Sequence, residues 1–418
     1  MEISKERLRN DLLKNGAFGK VSSSGESHGR TVLTGSEADK KVRENFISIL
    51  QSLDMEIKID PVGNIVGIWV PETANRNADP VVVGSHLDSV PNGGIFDGPL
   101  GVFAGVEAIR AIKQSSHSPA CPIQVVSFTE EEGGRFGIGL LGSSVVGGQR
   151  EESEVLTLED QNSVTVKEAL DSIGFSGKDC LSPSSWRSWL ELHIEQGTVL
   201  ERANVSTGVV TAITGITNCK VEIIGEANHA GSTLMHERTD ALVAASEFVK
   251  RVEQIGIEIS YHDSEFIAVT VGEFEVEPNA RNVIPGKVSL SIDIRDTNES
   301  VIEYVIRQIK NTLSRIEGEY KINASFETYR SIDSVPMNER AQNILIDAGE
   351  KTENEVMKLP SGGGHDSMNI KNKTEVGMLF ARSKDGISHS PDEWTNWDDC
   401  KKATQILANA VVDLSCDI

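Results

Sequence analysis

The sequence predicts an α/β protein: a catalytic domain with a mostly parallel sheet, and a smaller α+β domain inserted into it. Three observations carry this. Short β-rich runs alternate with helical patterns over the first half of the 418 residues, the order that builds a parallel sheet. Near residue 211 the pattern changes to amphipathic strands and two long helices, and near residue 330 it returns to helix, loop and strand. The length alone favours two domains.

Pro80–Gly84, Pro122–Phe128 and Ser188–His193 read as buried strands, with a helix over Val102–Lys113 between the first two. In the insertion, strands are expected near Asn218–Gly225, Phe266–Val276 and Lys287–Asp296. Val288, Leu290, Ile292 and Ile294 alternate there with polar residues, so one sheet face is solvated. Helices near Thr239–Ile255 and Val301–Ile316 are apolar at i, i+3 and i+4 and cover the other face. Gly377–Phe380 reads as a strand and the stretch from about Asp398 as a helix. Residues 1–211 and 330–418 are thus assigned to the catalytic domain, and 212–329 to the insertion.

Composition narrows the function. Hydrophobic residues make up 38% and charged residues 25%, the profile of a soluble globular protein. With 40 basic against 63 acidic residues the net charge is −23, which repels phosphate backbones and anionic lipid and argues against nucleic-acid and membrane partners. No run of 18 apolar residues occurs and charge begins at Glu2, so neither a spanning helix nor a secretory signal is expected. Five scattered cysteines without a CxxC pair suit reduced thiols in a cytoplasmic protein.

Polar clusters fall at or just after strand ends, where open α/β sheets hold ligands. In Gly84-Ser-His86-Leu-Asp88 the histidine can bind a metal through one ring nitrogen while the aspartate holds the other N–H. Asp97 follows between turn-forming glycines, and Glu130-Glu131-Glu132 follows a strand. In the latter, one carboxylate can ligate while its neighbour handles a proton. His193 closes a strand, and His389 lies in a polar loop after another. Singly, each is better explained as a turn, surface or core residue. Together, three histidines with two or three carboxylates form a mixed N/O set that suits Zn2+ or Mn2+ better than Ca2+ or Mg2+. His28, His117, His236 and His262 read as surface residues, and Trp186 and Trp189 as core.

These motifs resemble the M20 metallopeptidase superfamily, and most of all its branch of L-N-carbamoylases, allantoate amidohydrolases and ureidoglycine-type hydrolases. The likeness runs from about residue 60 to 395, through Gly84-Ser-His-Leu-Asp-Ser-Val-Pro-Asn-Gly-Gly, Phe96-Asp-Gly-Pro-Leu-Gly, Glu131-Glu-Gly-Gly-Arg-Phe, His193-Ile-Glu-Gln-Gly, His229-Ala-Gly-Ser-Thr, Asn282-Val-Ile-Pro-Gly and Asp293-Ile-Arg295. The resemblance implies two divalent ions per chain, Zn2+ or Mn2+ with Co2+ or Ni2+ as alternatives. Asp97 would bridge them, with His86, Glu132, His193 and His389 as the other ligands and Asp88 orienting His86. Glu131 would be the general base and His229 the stabiliser of the oxyanion. Arg295 would take the substrate carboxylate, and Gln196, Asn282, Gly362, Gly363 and His365 would line the pocket. The inserted domain would act as a lid and hold a homodimer together.

Within the superfamily, His193 points to the ureido-cleaving branch, because dipeptidase and aminoacylase relatives carry an acidic ligand there. The expected reaction is hydrolysis of N-carbamoyl-L-amino acids to amino acid, ammonia and carbon dioxide. Allantoate or ureidoglycine hydrolysis and aminoacylase activity are the alternatives. A catalytically dead binding protein would need a lost ligand or base, and none is lost. Leu234, Gly363 and Glu130 depart from the residues common in the family at those places.

Overall fold

The structure is a computed structural model that describes residues 1–21, 28–264, 266–352 and 354–416. The chain first forms β1 (Glu56–Ile59), β2 (Ile65–Trp69), β3 (Val81–His86), β4 (Ile123–Phe128), β5 (Ser188–Ile194) and β6 (Thr207–Ile213). Then come β7 (Gly215–Ile224), β8 (Asn228–His229), β9 (Ala268–Glu277), β10 (Val283–Ile284), β11 (Lys287–Asp296) and β12 (Asn323–Ile332). The remainder supplies β13 (Val335–Pro336), β14 (Val356–Ser361) and β15 (Glu375–Ala381).

The large sheet has the order β1-β2-β4-β3-β5-β15-β6-β13, with β14 also on β6. Its centre, β4, β3, β5 and β15, is parallel, and its flanks are antiparallel. Connection length explains the mixture. The tight turn 60–64 can only join antiparallel neighbours, whereas β3 and β4 are joined through the helix Pro99–Lys113. That helix lies close on the sheet because Gly101 and Gly105 carry no side chain. A Cβ on Gly101 would stand 2.2 Å from the Leu192 carbonyl oxygen, and one on Gly105 would stand 2.6 Å from Val83 Cγ2. Val81, Val82 and Val83 are fully buried, as strands covered on both faces require.

Parallel strands end at one edge. His86 is in register with Phe128, and His193 with Phe380. The loops that leave these ends therefore gather along the carboxyl edge of the sheet, which is what positions the site.

The chain forms two compact units, one of Met1–Thr211, Met337–Leu359 and Gly364–Ile418, the other of Ala212–Pro336 with Pro360–Gly363. In the second, an antiparallel sheet of order β12-β7-β11-β9 packs Val221, Ile223, Leu290, Ile292 and Ile294 against the helices Ala241–His262 and Glu299–Tyr320. Asp240 and Asn298 start those helices by accepting backbone N–H groups of Leu242 and Val243, and of Ser300. The fourth strand, β12, was not legible beforehand and carries this unit past residue 329. On an edge strand only Ala324, Phe326 and Ile332 are half-buried, so its alternation is faint. Among the described residues no helix is long and apolar enough to cross a membrane.

Candidate metal centre

His86 closes β3 with no exposed surface. Asp88 Oδ1 stands 3.5 Å from its Nδ1, which turns Nε2 towards Asp97 Oδ1 at 3.7 Å and Glu131 Oε2 at 3.6 Å. Neither ring nitrogen makes a hydrogen bond. A buried imidazole without a hydrogen bond is costly. These spacings exceed hydrogen bonds and lie near the ~3.3 Å between two ligands that each bind one ion at about 2 Å. The ring also needs Gly98, whose φ is +82°, since a Cβ there would stand 2.4 Å from it.

The Nδ1 atom of His193 lies 2.9 Å from the Ile194 carbonyl oxygen. This carbonyl holds the ring's N–H and leaves the Nε2 lone pair facing Asp97 Oδ1 at 3.1 Å. His389, on the loop after β15, places Nε2 at 3.1 Å from Glu132 Oε2 and 3.5 Å from Asp97 Oδ2. Two ligand groups result: His86, Asp97 and His193, and Asp97, Glu132 and His389, each with its ligand atoms within 4.8 Å of one another. Asp97 belongs to both and turns one oxygen to each. Each group could hold a divalent cation that prefers mixed nitrogen and oxygen donors.

Carboxylates dominate the local field. Burial resists a charge on His86, yet Glu131, Asp88 and Asp97 outweigh it and hold the imidazole well above its usual range. Burial would raise Asp97, but His193 and His86 hold it well below the usual carboxylate range. The hydrogen bond to Glu132 leads the causes that push His389 up to about 9. Burial raises the Glu131 carboxyl well above its ordinary value, opposed by His86 and reinforced by Asp366 and Glu132. Such a site draws positive charge, which protons or cations can supply.

The surrounding contacts hold this geometry. Asp88 accepts the backbone N–H groups of Glu131 and Glu132, each at 3.2 Å. Asp97 Oδ2 accepts from Gln196 Nε2 at 2.7 Å and from Ser388 Oγ at 2.6 Å, so Gln196, expected along the pocket, is held on the shared aspartate. Glu130 accepts the N–H groups of Arg135 and Phe136 and so folds the loop beyond Glu132. His365 is buried edge-on to His193 with ring centroids 4.5 Å apart, and burial holds it well below its usual value, hence neutral.

The second unit holds the other expected residues. Register between β8 and β10 pairs His229 with Val283, and the Ala230 N–H donates to the Asn282 carbonyl at 3.0 Å, so His229 and Asn282 lie side by side. Both are exposed. His229 Nδ1 accepts the N–H groups of Gly231 and Ser232 at 3.0 and 3.1 Å, which leaves the ring proton on Nε2. Arg295 is already engaged: Nε donates to Asp293 Oδ1 at 2.7 Å and Nη1 to the Gly362 carbonyl at 3.0 Å. Gly363 N donates to Ser361 Oγ, Gly362 borders open space, and Leu234 is exposed.

Sequence reasoning missed Glu393 and Ser388, which flank His389 and bond to the Asp97 segment, and Arg30, which lies beneath it. An acid four residues after a candidate ligand was a usable signal for Glu393; Arg30 offered none. His28 was expected at the surface but is half-buried and stacks on Trp394 at 5.2 Å.

Comparison with known proteins agrees with this geometry. Peptidase family M20/M25/M40 matches residues 82–413. The chain is 34% identical over 417 residues to the N-carbamoyl-L-amino acid amidohydrolase of Geobacillus stearothermophilus, covering 99% of each. It is 34% identical over 370 residues to the allantoate amidohydrolase of Bacillus subtilis, covering 87% of each. The crystal structure of an amidase of the hydantoinase/carbamoylase family from Burkholderia multivorans superposes with a TM-score of 0.92 at 30% identity, over 100% of this chain and 99% of that one. The chain belongs to peptidase family M20, as a metal-dependent hydrolase of C–N bonds in linear amides.

Proposed function

We propose that this enzyme hydrolyses the ureido bond of N-carbamoyl-L-amino acids with two divalent ions, Zn2+ or Mn2+, which His86, Asp97, Glu132, His193 and His389 would hold. The observation that carries the reading is the likeness over the whole chain to a carbamoyl-amino-acid hydrolase, together with a histidine, His193, in the ligand set.

Bound there, the ions would supply Lewis acidity towards the ureido carbonyl and towards water. Glu131, 9% exposed and beside His86, takes the proton and returns it to the leaving nitrogen. Glu132 is committed to its ligand group and leaves that work to its neighbour. His229 presents Nε2–H to the developing oxyanion. Arg295 exchanges Asp293 for the substrate α-carboxylate, a pairing it can make bidentately. Asn282, Gln196, Gly362, Gly363 and His365 complete the substrate's surroundings.

A second reading is allantoate hydrolysis, favoured by the equal identity to the Bacillus subtilis enzyme. Turnover of N-carbamoyl amino acids, N-acyl amino acids, dipeptides and allantoate by chelated enzyme with metals added back decides between them. The N-carbamoyl series should be turned over with the highest kcat/KM, and a clear preference for allantoate would replace the first reading by the second. Metal analysis of the loaded protein should give about two ions per chain.

A further inference from the structure

Residues 28–32 lie in no helix or extended strand, yet they are stitched to two loops of the metal centre. At their middle is Arg30, a guanidinium with no exposed surface. Its Nε donates to the Gly94 carbonyl at 3.0 Å, and its Nη2 donates to those of Leu87 and Asp88, both at 3.1 Å. Its backbone N–H donates to the Gly93 carbonyl at 2.9 Å. On the same side, Val32 N donates to Ser89 Oγ at 3.0 Å, Ser89 N donates to the Val32 carbonyl at 3.0 Å, and Asn92 N donates to Thr31 Oγ1 at 2.9 Å. At the other end, His28 N donates to the Pro391 carbonyl two residues beyond His389.

The positions matter more than the number of bonds. Leu87 and Asp88 directly follow His86, and Gly94 precedes Asp97 by three residues. One rigid, planar fork therefore grips the loop just after the first ligand and just before the second. Its partners are carbonyl oxygens, not a carboxylate, so it is not a buried ion pair. Burying an unpaired cation costs several kcal/mol. Here burial still lowers the guanidinium below its ordinary value, and the nearby carboxylates of Glu393, Asp88, Glu132 and Asp97 offset only part of that cost. If only carbonyls needed partners, neutral donors would suffice at less cost. A cation under an acidic cluster also restrains the repulsion among carboxylates while no metal is bound.

We infer that Arg30 is a positioning residue of the metal centre, setting the separation of His86 and Asp97 before the ions bind and thereby the affinity for them. This rests on the metal-binding reading above. The test uses the full chain stripped by chelation, with Mn2+ and Zn2+ affinities measured by calorimetry and equilibrium dialysis, and folding of each apo variant checked by circular dichroism and its Tm. Arg30→Met and Arg30→Lys should both bind the ions about 10- to 100-fold more weakly while folded, since the charge of lysine cannot span the three carbonyls. Wild-type affinity in either folded variant overturns the inference, even if Tm falls, because that is the signature of a merely structural role. Should neither variant fold, Arg30→Gln, whose shorter neutral amide can reach at most part of the three carbonyls, carries the test. It should weaken binding several-fold, and unchanged affinity there overturns the inference equally. A wild-type chain that binds no ion would instead defeat the metal reading itself, a result distinct from equal affinities in wild type and variant.

Discussion

The Oε1 atom of Glu393 accepts the backbone N–H of Asp97 at 3.1 Å and that of Phe96 at 2.9 Å. A carboxylate from the loop of one candidate metal-binding group thus holds the residue common to both. Its other oxygen lies 3.1 Å from Ser388 Oγ, whose single proton goes to Asp97 Oδ2 at 2.6 Å. Burial pushes the Glu393 carboxyl up to about 7, with Asp97 adding to the effect.

Glu393→Ala should therefore leave two buried N–H groups unpaired and cost about 2–5 kcal/mol of stability, whereas Glu393→Gln keeps an acceptor and should cost less. Urea unfolding of both variants measures the difference. Equal stability of the two would show that the backbone bonds contribute nothing.

Glu131→Gln should keep the fold and both ions yet lose at least about two orders of magnitude in kcat, because the amide cannot accept the proton. Metal content and steady-state kinetics check it together. A kcat near that of the wild type would move the base elsewhere.

His229→Ala should lower kcat with KM little changed, since its donor acts on charge that develops only in the transition state. Arg295→Ala should instead weaken substrate capture by about 2 kcal/mol, the lower end for a lost charge-assisted pair, because Asp293 competes for the guanidinium in the free enzyme. Metal content should not change in either. The opposite split between kcat and KM would exchange their roles.

Asp60 offers a pH test away from the ligands. Its carboxylate accepts Asn64 N at 2.8 Å and Asn64 Nδ2 at 2.7 Å, and Asn64 Oδ1 accepts the N–H of Thr129, where the loop to Glu131 begins. Burial outweighs these bonds and raises the Asp60 carboxyl from 3.8 to about 7. The folded state then holds a proton that the unfolded state releases, so this group's contribution is greatest at low pH. It should decline as pH rises from about 4 through about 7, by at most ~1.4 kcal/mol per pH unit, and then level off. The stability of wild type minus that of Asp60→Asn, from urea unfolding between pH 5 and 8, should fall accordingly. A difference that does not vary with pH would mean that Asp60 titrates alike in both states.

The sequence alone determined the strands and helices with strong periodicity, and it supplied the candidate residues of the metal centre. Val81–His86 and Ser188–Ile194 are wholly buried runs, and Lys287–Asp296 alternates without a break, so local burial wrote its pattern directly into the chain. His86, Asp97, Glu132, His193 and His389 were legible as candidates from their residue types in polar loops and strand ends, and the fold brings them together in two groups around Asp97. Tertiary structure decided the rest. β12 became the fourth strand of its sheet through pairing with β7, which leaves little trace on a solvated edge. Which oxygen of Asp97 faces which histidine depends on Gln196 and Ser388, 99 and 291 residues away. Arg30 is distinguished only by carbonyls that arrive 57 to 64 residues later. Hydrophobic periodicity records which face of an element is buried, but a buried polar group takes its meaning from partners that only the folded chain brings within reach.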